Sequence, residues 1–248
     1  MKHQIKKIDL QNLVSLIKRV SSMDTSVYLN INNANIWSSV YTPTRDVVKS
    51  VTMKADSVVE FDKPLKDTIK LSFFSGAKLL QSLGFFDKNQ ISAEIETFEE
   101  EGSTYAEKII FKDNTLKITI NCQDISLGFT SMTDNQIKTV FDETTKDYDF
   151  KLSSEMLSKM LSLSSLDKND YLTIYADEDG VHSKCDSFDI ILDDRYTTKT
   201  RTKDSVFFKS HLSKMDKETY DVVVCEQKIL FYSTESDTKL ATNLVIID

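Results

Sequence analysis

YDFKLSSEMLSKMLSLSSL, residues 148–166, reads as a short strand running into an amphipathic helix, and residues 4–22 read the same way. In the later copy Met156, Leu157, Met160 and Leu161 fall on one face of a helix over 153–166. Glu155, Ser158, Lys159 and Ser162 fall on the other, at the three-and-four spacing that places side chains on one stripe. In the earlier copy a strand over 4–8 leads into a helix over 9–21. There Leu10, Leu13, Val14, Ile17 and Val20 face inward and Gln11, Asn12, Ser15, Lys18, Arg19 and Ser22 outward, with Asp9 as N-cap.

The elements after each copy repeat as well. After the first come alternating runs over 26–31, 36–41, 47–53 and 67–73, a second helix over 75–86, and strands over 91–98, 105–112 and 115–122. After the second come strands over 171–176, 180–184, 188–193 and 205–208, a short helix over 209–215, and strands over 220–225, 229–233 and 240–247. Between them lies a polar stretch, 130–147, too long for an ordinary connection inside one domain. The organisation expected is α+β in two domains, 1–129 and 148–248, joined by a linker over 130–147. Each domain carries two helices packed on antiparallel sheets.

Composition removes several classes of function. Only five glycines are present, Gly76, Gly84, Gly102, Gly128 and Gly180, no two closer than eight residues. A phosphate-cradling loop needs them clustered, because only glycine lets successive amides curl around an anion. The histidines, His3, His182 and His211, lie at no metal-ligand spacing, and no GxSxG elbow is present. Glu99–Glu101 and Asp177–Asp179 sit beside Gly102 and Gly180 and read as solvated hairpin tips. Neither an enzyme nor a bound cofactor or metal is expected. Cys122, Cys185 and Cys225 are odd in number and widely spaced, which fits free thiols in a reducing cytoplasm. No apolar run is long enough to cross a bilayer, and no signal peptide opens the chain.

Helix, several strands, helix, three strands, twice over, resembles the DNA sliding clamp family, in its two-domain, proliferating cell nuclear antigen-like form. LQNLVSLIKRVSS (10–22), KLSFFSGAKLLQSLGFF (70–86), the stretch at 148–166, DSVFFKSHLSKM (204–215) and KLATNLVIID (239–248) carry the likeness. The short second-half loops lean toward the phage or viral branch, whose members act in the host cytoplasm. The resemblance implies the ring-forming DNA clamp fold: a homotrimer around duplex DNA, with helices lining the hole. It implies a processivity factor for DNA replication, held without sequence preference, to which DNA polymerase and clamp loader dock by short peptides.

Charge agrees with that implication. The helical segments 9–22, 75–86, 153–166 and 209–217 hold Lys18, Arg19, Lys78, Lys159, Lys209, Lys214 and Lys217 against Asp9, Glu155 and Asp216. Their net of +4 leaves −12 for the rest of a chain that sums to −8. The seven basic residues are the candidate DNA contacts, because tracking needs cations on phosphates and no base readout. Solvated helix faces of no special role are the plainer reading, and Glu155 departs from a purely basic lining.

The resemblance also assigns subunit edges, with Leu116, Ile118 and Ile120 on one strand and Phe188, Ile190 and Leu192 on another. Both strands could equally be internal to a sheet. For the partner-peptide pocket it assigns Val40, Val47, Ile137, Val140, Phe141, Ile229, Val245 and Ile247. Ile137, Val140 and Phe141 also suit a helical turn packed on the body. The alternative left open is a clamp-fold interaction scaffold, or a monomeric DNA-binding processivity factor that forms no ring.

Overall fold

Asp9 starts the first helix. Its carboxylate accepts the Asn12 N–H at 2.9 Å, and α1 (Leu10–Ser21) buries Leu10, Leu13, Leu16, Ile17 and Val20. Such a cap satisfies an amide that the first turn leaves open. Ser75 does the same for α2 (Gly76–Leu83) through the Lys78 N–H at 3.2 Å. Both helices stand where the apolar spacing places them in the computed structural model, which describes residues 1–86, 91–123 and 131–245.

The two helices pack against each other at Gly76. A Cβ there would lie 2.0 Å from Ser21 Oγ and 2.9 Å from Val27 Cγ2. Gly76→Ala is therefore expected to cost about 1–3 kcal/mol in urea unfolding, as overpacking does. Ser21 Oγ is buried without a hydrogen-bond partner among the described residues. Adding Ser21→Ala should accordingly restore part of the loss. A double variant no more stable than Gly76→Ala alone would show that Val27 or the backbone sets the limit.

The chain divides into two units, Met1–Pro43 with Lys49–Met132 and Thr44–Val48 with Thr133–Asp248. The expected first-domain end at 129 and linker start at 130 lie outside the described residues. In the first unit β1 (Lys2–Ile8), β2 (Val27–Ile31), β3 (Asn35–Tyr41), β4 (Val47–Lys54, whose first two residues fall to the second unit) and β5 (Val59–Phe61) are followed by β6 (Ile69–Phe73). After α2 come β7 (Ser92–Glu100), β8 (Ser103–Lys112) and β9 (Lys117–Asn121). Two runs of neighbours result: β4-β3-β2-β6, and β9-β8-β7-β1 with β5 beyond β1. A short parallel pairing of β6 with β8, Ile69 opposite Thr104, joins them. The core closes around an apolar cavity of about 40 Å³ lined by Ile17, Leu29, Leu71, Leu79, Ile95 and Phe111.

The second unit repeats the plan. After α3 (Asp134–Val140) come β10 (Lys146–Leu152) and α4 (Ser154–Ser164), then β11 (Tyr171–Ala176), β12 (Val181–Lys184) and β13 (Asp189–Asp193). β14 (Ser205–Phe208), β15 (Tyr220–Cys225), β16 (Lys228–Ser233) and β17 (Asp237–Asn243) complete it. Its strands group as β13-β12-β11-β14 and β17-β16-β15-β10. The helix expected over 209–215 is instead a 3₁₀ turn, Lys209–Lys214, whose N-cap, Phe208, offers no side-chain acceptor. A run this short without a cap tightens to i→i+3 bonding. β5 is an addition to the expected strands.

Both acidic clusters lie at hairpins. Glu101 and Gly102, at φ 48° and 74°, form the two-residue turn between β7 and β8, a geometry favoured where φ is positive twice. Asp177, after β11, does more than face solvent. Its Oδ1 and that of Asp189 each lie 3.0 Å from one ring nitrogen of His182, which stacks on Tyr175 at 4.8 Å. Tyr175 Oη donates to the other Asp189 oxygen at 2.7 Å, and Arg201 covers the tyrosine ring at 3.6 Å.

Asp193 ends β13. It accepts from Arg195 Nε at 2.8 Å and Nη2 at 2.7 Å and from the Lys151 N–H at 2.9 Å. The guanidinium, first, and the backbone N–H groups of Lys151 and Arg195 hold its carboxyl down to about 2 from 3.8. A depressed carboxylate adds stability above its unfolded value, and that stability fades as pH falls toward the folded one. Asp193→Asn should thus cost about 1–2 kcal/mol near neutrality. The gap to the wild type should close as pH drops from 4 toward 2. A gap independent of pH in acid unfolding curves would contradict this.

Candidate functional site

The helices present lysines to solvent. Lys18 on α1, Lys78 on α2 and Lys159 on α4 are all exposed, among short polar neighbours such as Gln11, Ser82 and Ser162. α4 is started by Ser153, which accepts the Met156 N–H, and it buries Leu157 and Met160, so the face with Lys159 and Glu155 turns outward. Arg19 and Lys214 are half-buried and Lys217, past the 3₁₀ turn, is exposed. Lys209 is committed elsewhere: its Nζ donates to Asp167 O at 2.8 Å and to Ser164 O at 3.4 Å, capping the end of α4. A cation suits that place, where carbonyls lack amide partners.

The two strands assigned to subunit edges each stand at the end of a run of strands among the described residues. β9 pairs only with β8, and β13 ends its run beyond β12, with no strand on the far side of either among the described residues. On β9 Ile118 and Ile120 are half-buried, as is Leu116 before it, while Lys117, Thr119 and Asn121 are exposed. On β13 Leu192 is buried and Ile190 half-buried, with Phe188 just ahead of the strand also half-buried. Four exposed apolar side chains carry no signal in the sequence pattern: Phe74 (66%) and Phe85 (68%) on either side of α2, Leu166 (74%) after α4, and Ile191 (44%) on β13.

The peptide-pocket candidates differ in burial. Val40 in β3, Val47 in β4 and Ile229 in β16 are buried, and Val245 is half-buried; Ile247 lies outside the described residues. Ile137, Val140 and Phe141 belong to α3 and its C-cap. Thr133 and Gln136 close a capping box at its start. Lys228 Nζ reaches Val140 O at 2.7 Å at its end, and Phe141 packs on Tyr232 at 6.2 Å. Ile137, Val140 and Phe141 are all half-buried. Among the described residues no group of three or more histidine, cysteine, aspartate or glutamate side chains could hold a metal ion.

A duplicated unit of this strand order, with its helices on the sheets, defines a class: the chain has the two-unit α+β fold of the DNA sliding clamps. Archaeal PCNA from A. fulgidus, solved with the C-terminal region of FEN-1, is similar over 99% of both chains, with TM-score 0.67 and 10% identity. The PCNA2–PCNA3 complex of Sulfolobus tokodaii gives TM-score 0.61 and 14% identity over 98% of this chain and 99% of that one. The DNA polymerase III β subunit of Pseudomonas aeruginosa gives 0.65 and 11% over all of this chain. The match spans 65% of the β subunit's length. No family model matches the chain, and no curated protein matches it by sequence.

Proposed function

We propose that this protein is a DNA sliding clamp, a processivity factor that closes as a homotrimer around duplex DNA and tethers replication proteins. The carrying observation is the full-length fold match to PCNA at 10% identity. At that divergence what persists is strand order and helix placement, the features a ring depends on. Among the described residues β9 and β13 each end a run of strands, one in each unit, which supports head-to-tail closure with β9 of one copy beside β13 of the next. Such a heterologous contact makes a ring when its rotation closes, and pairing removes the hazard of an open edge.

Lys18, Lys78 and Lys159 are the contacts to phosphate in this reading. A closed ring needs only weak, salt-sensitive contacts, because it leaves DNA by opening a seam. Peptide docking is supported by the FEN-1 segment held by the A. fulgidus protein. The clamp itself performs no chemistry; polymerase and loader do, in the cytoplasm where DNA is copied.

Sedimentation is the test. The protein should run at about three times its 28.4 kDa chain mass. A monodisperse monomer at micromolar concentration overturns the ring and leaves a clamp-fold scaffold or a DNA-binding monomer.

A further inference from the structure

The outer edges of β9 and β13 match in hydrogen bonding, in apolar pattern and in charge. On β9 the Cys122 N–H donates to Glu107 O at 2.8 Å, and Leu116 O accepts from the Asp113 N–H at 3.0 Å. Even-numbered residues thus spend their main-chain groups on β8, and Lys117, Thr119 and Asn121 turn theirs away. On β13 the Cys185 N–H donates to Phe188 O at 3.0 Å, which turns the main-chain groups of Asp189 and Ile191 away from β12. Laid antiparallel with Ile118 opposite Ile190, the outward groups of the two edges meet. Leu116 then faces Leu192 and Ile120 faces Phe188, so each apolar side chain of one edge finds an apolar partner. Residues 186–194 hold four aspartates and no base, of which Asp186 and Asp194 are exposed, whereas residues 117–121 hold Lys117 and no acid.

Antiparallel pairing brings the end of β9 to the start of β13, and an exposed apolar side chain stands at each. Just past β9, the Gln123 N–H donates to Ser72 O of β6 at 3.0 Å, and the Ser72 hydroxyl donates back to Gln123 O. Phe74, two residues on from Ser72, is 66% exposed. Just ahead of β13, the Ser187 N–H donates to Asp167 Oδ2 at 2.7 Å. Leu166, next to Asp167 in the chain, is 74% exposed. Either side chain alone is ordinary on a protein surface. Their standing at the two ends that one pairing joins is a match of surfaces.

We propose that Phe74 of one copy packs on Leu166 of the next, an apolar lock at one end of the seam between two copies of this chain. The contact rests on the ring reading, since it needs β9 and β13 of neighbouring copies side by side. It goes beyond that reading by fixing the register. A slip of two residues keeps the outward hydrogen bonds in phase but moves the two ends about 7 Å apart, out of contact.

Sedimentation equilibrium of the full chain reads the assembly. Phe74→Asp and Leu166→Asp should each raise the concentration of half-assembly about tenfold or more, because each buries an unpaired carboxylate in the seam. The circular dichroism spectrum should not change, both side chains being exposed in the single chain. Phe74→Asp combined with Leu166→Lys should recover most of the loss, since opposite charges then face each other across the seam. Phe98→Asp is the control: Phe98 is also exposed, but it lies beside the β7–β8 turn, and its replacement should leave assembly unchanged.

A trimer indifferent to Phe74→Asp and Leu166→Asp overturns the contact and leaves the ring standing. Losses that Leu166→Lys does not mend, or an equal loss in Phe98→Asp, overturn it as well. A wild-type chain that sediments as a monomer overturns the ring and the contact with it.

Discussion

Replacing Lys18, Lys78 and Lys159 together by glutamate is expected to lower affinity for a short duplex about tenfold or more at low salt. Each of the three stands exposed on a different helix, α1, α2 or α4, and each reversal exchanges attraction to phosphate for repulsion. Affinity that rests on neutralised phosphates falls steeply with salt, so the slope of log affinity against log salt should flatten as well. Fluorescence anisotropy with a labelled duplex reads both quantities. Lys63→Glu with Lys66→Glu is the control, since both side chains are exposed between β5 and β6 and off the helices. Equal losses in the two variants would mean that DNA responds to net charge alone. Sedimentation of the triple variant should match the wild type, because none of the three lysines lies on β9 or β13.

Gly180→Ala should produce the largest loss of stability from one methyl group, about 2–4 kcal/mol in urea unfolding. Gly180 sits at φ 141°, which side chains avoid, and an added Cβ would stand 2.6 Å from Asp193 O and 3.1 Å from Asp194 Cα. Those neighbours are backbone and cannot swing aside. They are also fixed, since Asp193 is bound by Arg195 and by the Lys151 N–H. Gly102→Ala is the comparison: φ is 74° there, but nothing stands within 4 Å of the new carbon. It should cost about 1–2 kcal/mol, from the left-handed backbone alone. Similar losses for the two would remove the contact with Asp193 as a cause.

The duplicated plan is legible because buried faces leave a period in the sequence. Leu13, Ile17 and Val20, and again Leu157 and Met160, need nothing beyond counting to be placed on core faces. β5 escapes because three residues, Val59–Phe61, are too few to alternate. α3 is half-legible: its apolar spacing shows, and Thr133 with Gln136 three places on is a further start signal. Phe73–Phe74 and Phe85–Phe86 show what period alone misses. In each pair one ring is buried and its neighbour exposed, and adjacency conceals which. Lys209 resembles its fellow lysines until tertiary structure brings the end of α4 to it. His182 is inconspicuous for the same reason, its two carboxylates lying five and seven residues away on other elements.

α3 has a mechanical side. None of its seven residues is buried, so little apolar surface is lost if it uncoils. A capping box at one end and Lys228 with Tyr232 at the other hold it. Coiled, seven residues span about 10 Å; drawn out, they span about 23 Å. Asp134–Val140 is thus a reserve of slack, about 13 Å of chain that can be let out under tension before either sheet of its unit is strained.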